Sequence, residues 1–574
     1  MESGNVEQIR KEEKVENLRP ERVELHLHTK MSETDSVVDI QEVILQAVKC
    51  GHKAIAITDH NSVESFPKAM RVAKEAKKSG TPIKILYGAE LCYGEKNQYH
   101  INVIASNSIG LNHLYQLITD SRTKKDKIQT TKETIQTLRE GLIIGSGCEK
   151  GELFTQILNN IKNLTTYRKE ILELASFYDF LEIQPAKNHS KKLLNIYGEE
   201  IIRTINQEIV EIGEELGIPV CATGDVHFLK QEDEIAWRIL KNKSMSENLP
   251  SLFFHTTEEM LSEFSYLGGK ISQKVVVENP NKIADRIEEL ISIHTQDYYI
   301  PVIENTEKLR DIVTLKAKQI YGEVLPQQIS DRLSNELGLI ENKSFDVYYL
   351  IAHKISKFSH QINSEISYRG TVGSSLTAFL AEITAINPLP PHYFCEHCHY
   401  TKFISDSSVA SGYDLPEQIC PICETTLKSD GHNIPFESFA GIDGAKVPDI
   451  DFNVIPQNKE KILNYIRAIF SDNNILNAGA TNTISDSAAN EMIELYDRKY
   501  TVSFTPDAIN RIQNGLIGVK RCNGYHPTNF LFVPNDCKSE SFTPAQYAEG
   551  KMATHFEFHD LPFFIIWIFV NMMF

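Results

Sequence analysis

Side chains able to ligate a metal recur beside apolar runs throughout the first 227 residues, and no other feature restricts the fold of this chain so strongly. In His26-Leu27-His28 two imidazoles share one face of an extended segment, because side chains alternate along a strand. Asp35 follows, then a helical stretch from Val38 to Lys49 and the apolar run Ala54-Ile55-Ala56-Ile57-Thr58, which ends in Asp59-His60. Ile83–Tyr87 leads to Gly88-Ala89-Glu90, His100 opens the run to Ile104, Cys148 comes later, and Asp225-Val226-His227 follows Ile218–Thr223. Strand and helix patterns alternating in this way predict an α/β layer structure, in which strand ends collect active sites. A mixed set of His, carboxylate and Cys suits Zn²⁺, Mn²⁺ or Fe²⁺, where bound water becomes a nucleophile. Any one of these residues alone is more often structural; their ordered recurrence carries the reading.

A second metal site is written in Cys395-Glu396-His397-Cys398 and Cys420-Pro421-Ile422-Cys423. Two CxxC pairs across such a gap predict one tetrahedral structural Zn²⁺, with His397 and His399 left at the surface. Between the metal regions, helical patterns dominate from Glu258 to Lys357, followed by Arg369-Gly370-Thr371-Val372-Gly373-Ser374-Ser375 and an apolar helical pattern from Leu376 to Ile386. Glycines, hydroxyls, a helix start and Arg369 could cradle a triphosphate, although a capped helix start is equally consistent with these residues alone. Downstream, Lys446-Val447-Pro448-Asp449-Ile450-Asp451-Phe452 sets two carboxylates one residue apart, able to grip a divalent ion from one strand face. An isolated Pro-Asp-x-Asp is usually a turn or strand edge, so its weight comes from context.

Lys+Arg number 59 and Asp+Glu 77, a net charge of −18, so nucleic-acid binding requires local basic clefts. Six of the ten cysteines are scattered, as expected for a reducing compartment rather than a disulfide scaffold. Met1 to Glu21 is charged and reads as a solvated leader, not a signal peptide. The apolar tail from Leu561 to Phe574 is short of the roughly 20 residues of a membrane span and reads as aberrant, so the expectation is a cytoplasmic protein with no membrane.

The N-terminal ligand order resembles the PHP (polymerase and histidinol phosphatase) domain, a distorted (β/α) barrel holding a trinuclear metal cluster. By that resemblance the ligands are His26, His28, Asp35, His60, Glu90, His100, Cys148, Asp225 and His227, and the domain hydrolyses phosphoesters, including as a 3′-5′ exonuclease. The succession Arg369–Ser375, Pro388-Leu389-Pro390-Pro391-His392-Tyr393, the cysteine insert, Gly431-His432-Asn433-Ile434-Pro435-Phe436-Glu437 and Asp449/Asp451 resembles the PolC-type alpha subunits of bacterial replicative DNA polymerases from about Val23 to His559. This resemblance implies Mg²⁺ at catalytic Asp449 and Asp451 and nucleotide binding by Arg369, Gly373, Ser374, Ser375, Lys520, Arg521 and His526. It also implies primer–template DNA, deoxynucleoside triphosphates and other replisome subunits as partners.

The implied architecture is α/β multidomain. A leader (1–21) precedes a PHP domain (22–235) and a helical linker or thumb-like region (236–340). An α+β nucleotidyltransferase-like palm (341–470) with its zinc insert (393–426), partial fingers and palm (471–560) and the tail (561–574) follow. Departures from the family are specific. Only Leu91 to Tyr99 separates Glu90 from His100, where the family inserts an exonuclease, and the family's N-terminal nucleic-acid-binding region is missing. His526-Pro527-Thr528-Asn529 replaces His-Pro-Gly-Gly, Asn482 replaces a glycine and Ser487 a lysine. The strand bearing the third palm aspartate does not follow His559, and Glu557 and Asp560 are not in its motif. The expected function is a shortened PolC-type DNA-directed DNA polymerase; the alternatives are a PHP phosphoesterase or exonuclease and an inactive polymerase fragment.

Overall fold

The computed structural model describes residues 21–561 apart from 95–97, 125–129, 290, 294–306, 365, 406–408, 442–443, 445–447, 449, 471–474 and 534–537. The charged leader before Glu21, Asp449 and the tail after Leu561 therefore lie outside the described residues. Those described fall into two compact units, one drawn from Met1–His294, Gly479–Gly524 and Phe542–Asp560, the other from Thr295–Ala478, Tyr525–Ser541 and Leu561–Phe574.

In the first unit β1 (Ala54–Ile57), β2 (Lys84–Tyr93), β3 (Tyr99–Ala105) and β4 (Leu142–Gly145) form one sheet in that order. The β1–β2 pair is parallel, and the next two pairs are antiparallel. β5 (Leu181–Ile183) and β6 (Val220–Ala222) pair in parallel. Single bridges join Gly145 to Phe180, Val226 to Leu27 and Glu24 to Ile55, so the pairing runs full circle. Closure satisfies the backbone groups that an open sheet leaves at its edges. All four residues of β1 are buried, as expected for a strand covered on both faces. Helices Ile40–Lys49 and Phe66–Lys78 pack outside it, the first started by Asp39, whose carboxylate accepts from the Gln41 and Glu42 N–H groups. The apolar runs read from sequence form these strands, β2 extending well beyond Tyr87.

In the second unit helices Leu309–Tyr321, Gln327–Asn342 and Asp346–Gln361 share a core that includes Val313, Leu337, Ile351, Phe452 and Ile462. β7 (Ile366–Gly370) is an edge partner for a later strand, and β8 (His392–Phe394), β9 (Thr401–Phe403) and β10 (Lys428–Asp430) form a small sheet in the order β10-β8-β9. β11 (Ile450–Val454) pairs antiparallel with β7, with Asp451 in register with Arg369. The helical pattern from Leu376 to Ile386 yields only Leu376–Leu380, because Glu382 turns to a φ of 56° and Pro388 soon follows. The remaining strands of the chain, β12 (Ile475–Thr483), β13 (Lys520–Phe532), β14 (Ala545–Ala548) and β15 (Lys551–Glu557), are ordered β13-β12-β15-β14, and β14 and β15 belong to the first unit.

The unit boundaries differ from the divisions expected at 235 and 471. Trp237 and Ile239 share one core with Val37 and Phe228, and that core also takes Ile484, Ile493, Ile512, Leu516 and Val519. Much of the region read as linker and fingers is thus built into the first unit by apolar burial. Local periodicity marks these residues as core without specifying which core.

Candidate metal centre

The ring closure brings the N-terminal ligand set together. Thr58 N–H bonds Leu27 O and His28 N–H bonds Val226 O, each at 2.9 Å, so the segments carrying His26/His28, His60 and Asp225/His227 are neighbours. Asp225 adopts a φ of 49°, a left-handed conformation uncommon for a residue with a side chain. Its Oδ1 lies 3.3 Å from His28 Nε2, 3.5 Å from His26 Nε2 and 3.6 Å from His227 Nδ1.

Two other carboxylates organise the remaining imidazoles. Asp35 Oδ2 lies 2.9 Å from Nε2 of both His60 and His227. Glu90 Oε2 lies 2.7 Å from His60 Nδ1 and 2.9 Å from His100 Nδ1, and Oε1 is 3.3 Å from His26 Nε2. Ligand atoms converge in three overlapping groups: His28, Asp35, His60 and His227; His26, His28 and Glu90; His60, Glu90 and His100. Cys148 Sγ adjoins them, 3.7 Å from His100 Nδ1.

The residues fit a cluster of divalent ions. Nε2 of His26 and of His28 is fully buried, yet among the described residues neither makes a hydrogen bond of good geometry; the same holds for both Glu90 oxygens. Buried polar atoms left in this state are costly unless a cation takes their lone pairs. The outer contacts set the tautomers that such ligation needs: His26 Nδ1 meets Glu182 Oε2 at 2.8 Å and His28 Nδ1 meets Ser32 Oγ at 3.0 Å, leaving both Nε2 atoms facing inward. Asp59 sits behind them, accepting from Thr29, Ser32 and Ser65.

Electrostatics divide the imidazoles into two classes. Burial and the neighbouring His60 and His227 rings push His28 down to about 3, so it is a neutral ligand at ordinary pH. For His26, burial opposes the charge but Glu182, Asp225 and Glu90 outweigh it and raise the pKa. Burial likewise opposes ionisation of Asp35 and Glu90, and the facing imidazoles nevertheless hold both well below the usual carboxylate range.

Several contributors are not recognisable in the sequence. Glu182, Ser32 and Asp59 orient ligands from β5 and from two loops. Lys241 pairs with Asp35 Oδ1, and the Trp237 indole N–H donates to Asp35 O at 2.6 Å. Glu182 follows an apolar residue on a short strand, a pattern shared with many surface carboxylates.

The four cysteines also assemble. Cys395 and Cys423 Sγ lie 3.4 Å apart, as do Cys398 and Cys420. Each pair forms the same turn: His399 N–H bonds Cys395 O at 2.9 Å, Glu424 N–H bonds Cys420 O at 3.0 Å, and both turn residues have positive φ, 62° and 59°. His397 is exposed and His399 Nδ1 contacts Ile320 O, which leaves a closed thiolate set for one ion.

Of the residues expected to bind nucleotide, several side chains are engaged within their own unit. Ser374 is buried and donates to Phe436 O at 3.0 Å. Ser375 starts the short helix at Leu376, and its hydroxyl donates to the buried carboxylate of Glu336 at 3.0 Å. Leu376 and Thr377 N–H groups donate to the same carboxylate, so donors expected to cradle phosphate are already satisfied. Gly373 is partly exposed, and Arg369 is exposed with its guanidinium 3.5 Å from Asn453 Oδ1. Lys520, expected to face incoming nucleotide, is instead wholly buried, its ammonium 2.6 Å from Glu64 Oε2. Arg521 is exposed and His526 half-buried on β13.

Comparison with known proteins agrees with both regions. The PHP domain family model matches residues 24–186, and that of the bacterial DNA polymerase III alpha NTPase domain matches 307–505. DNA polymerase III PolC-type of Bacillus subtilis is 38% identical over 492 residues, 83% of this chain and 34% of the relative. Over most of its length the chain is similar to PolC-type DNA polymerase III. The Halalkalibacterium halodurans protein of that name is 37% identical over 88% of this chain and 36% of its own length, and the Staphylococcus haemolyticus protein 34% identical over 89% and 36%. The chain thus spans about a third of the length of these PolC-type relatives. Its N-terminal region is a PHP domain within a mixed α/β protein. No helix among the described residues is long and apolar enough to cross a membrane.

Proposed function

We propose that this chain serves DNA replication in the cytoplasm as a PolC-type DNA-directed DNA polymerase polypeptide, and that its PHP centre hydrolyses phosphodiesters from a DNA 3′ end. The polymerase reading is supported by the identity to PolC-type proteins across more than four-fifths of the chain. On that reading primer–template DNA and deoxynucleoside triphosphates are substrates, with Asp449 and Asp451 holding Mg²⁺ and Arg369, Gly373, Arg521 and His526 near the nucleotide. Ser374 and Ser375 then act as supports beneath the site, consistent with their buried partners. The domain limits near 22, 235, 340 and 470 mark the homologous regions of that polymerase, not separate folding units.

The hydrolytic reading rests on one observation, the convergence of His26, His28, Asp35, His60, Glu90, His100 and His227 into three overlapping ligand groups beside Cys148 and Asp225. Bound Zn²⁺, Mn²⁺ or Fe²⁺ supplies Lewis acidity and an acidified water. The protein's own part is to hold neutral His28, to keep Asp35 and Glu90 ionised, and to fix imidazole tautomers through Glu182 and Ser32. The four cysteines hold a structural Zn²⁺.

One experiment separates the two activities. A 5′-labelled primer–template is incubated with the protein and Mn²⁺ or Mg²⁺, with and without deoxynucleoside triphosphates. Shortened primers that disappear in H28A are expected for hydrolysis, and lengthened primers that disappear in D451N are expected for polymerisation. Shortening that persists unchanged in H28A would sink the hydrolytic reading, and a primer never lengthened at high protein concentration would sink polymerisation by this chain.

A further inference from the structure

Both loops that carry Asp35 and His60 are fastened by residues roughly 500 positions further along the chain. Lys520 N–H donates to Lys30 O, and Lys520 O accepts from Thr34 N–H, each at 2.8 Å. These bonds grip the loop between the ligands His28 and Asp35 at both ends. The Lys520 ammonium meets Glu64 in the turn after His60, at 2.6 Å and with both side chains buried. Lys30 reciprocates, its ammonium donating to Asn514 O and Ile517 O at 2.7 and 2.8 Å.

A second anchor acts on the His60 loop alone. His555 Nε2 accepts from Val63 N–H at 3.0 Å and lies 3.3 Å from Ser62 Oγ. Its Nδ1 lies 2.8 Å from Gln546 Oε1, which assigns the proton to Nδ1 and leaves Nε2 as the acceptor. From the barrel side, Arg122 Nε donates to Asn61 O. Residues 60–64 are therefore gripped at Asn61, Ser62, Val63 and Glu64, with two of the three gripping side chains lying outside the PHP match at 24–186.

We propose that Lys520 and His555 are positioning residues of the PHP metal centre: they hold the Asp35 and His60 loops at the spacing that a shared divalent ion requires. The inference rests on reading that centre as a metal site. Asp35 and His60 belong to the same ligand group, yet they arrive on two separate loops. A cation binds tightly only when its ligands are held near their bound positions beforehand, and supporting contacts typically alter affinity by 10–100-fold. The segments read as polymerase fingers thereby become part of the barrel's own machinery.

The test is Mn²⁺ titration of the full chain, followed by electron paramagnetic resonance, after Zn²⁺ has filled the thiolate site. Mn²⁺ prefers imidazole and carboxylate over thiolate, so with every protein carrying D451N, which disables the carboxylate pair proposed for Mg²⁺, it reports the PHP centre. K520M, and K520M/E64Q, which removes both members of the buried pair, are expected to retain the wild-type circular dichroism spectrum. Both should bind Mn²⁺ at least tenfold more weakly, with an altered spectrum for the bound ions. H555A should show the same change in smaller degree, whereas K499M, at an exposed lysine of the same segment, should leave binding unchanged. Wild-type affinity and spectrum in K520M/E64Q would overturn the positioning role while leaving the metal centre intact. A wild-type chain that takes up no Mn²⁺ would overturn both.

Discussion

His52 shows how one buried titratable group ties stability to pH. Its ring lies against Phe254, with centroids 5.2 Å apart, and neither ring nitrogen has a hydrogen-bond partner among the described residues. Burial, with the Arg22 charge as a lesser cause, pushes its pKa from 6.5 down to about 3. Between those values the unfolded chain holds a proton that the folded chain refuses, so stability falls as pH drops through this window and is fully present above it. The expected slope from this group is up to about 1.4 kcal/mol per pH unit. Urea denaturation from pH 7 to 4 checks it: H52L should lose less stability on acidification than wild type, and equal losses would refute this account. Metal ligands are legible at this scale because few residue types can ligate. Glu182, Ser32 and Asp59 are not, because only their distance from an imidazole gives them a role.

Among the elements, the short helix at Leu376–Leu380 and the two cysteine turns show contrasting sources of order. The helix start is held by Glu336, whose buried carboxylate takes the Ser375 hydroxyl and the Leu376 and Thr377 N–H groups and pairs with Arg332. Glu336 is four residues on from Arg332 along its own helix, which makes the pair look like ordinary surface support in sequence. E336Q should destabilise the protein by roughly 3 kcal/mol, since it strips the charge that compensates buried donors and leaves Arg332 unpaired; a calorimetric change under about 0.5 kcal/mol would show that the carboxylate is dispensable. The cysteine turns depend on an ion instead. Cys395, Cys420, Tyr393 and Leu427 form a small core with few other apolar partners. Chelating Zn²⁺, or C398S, should open the segment around 393–426 to limited proteolysis while leaving the PHP centre's Mn²⁺ binding unchanged. These turns were legible because the spacing of CxxC is itself the geometry; the Glu336 cap was not, because its partners lie about 40 residues away.

Across the whole molecule, the PHP barrel recruits chain from three separate stretches. If its metal centre is filled by ions that the unfolded chain does not hold, binding must stabilise the fold. Mn²⁺ at a hundred times its dissociation constant should add about 2.7 kcal/mol. Hydrogen exchange should locate that gain at His26–His28, Asp225–His227 and also around Lys520 and His555, far away in sequence; protection confined to residues before 294 would contradict the fastening of the barrel by its distant segments. The sequence by itself determined the ligand types, their order, the four-cysteine site and the likeness to PolC-type polymerases, since all of these are properties of residue identity and short spacing. The closed ring, the burial of Lys520 against Glu64 and the assignment of the fingers-like segments to the barrel were decided only by tertiary structure. Those outcomes depend on pairing between groups as far as 493 residues apart, and no local pattern of hydrophobicity or charge names a partner at that distance.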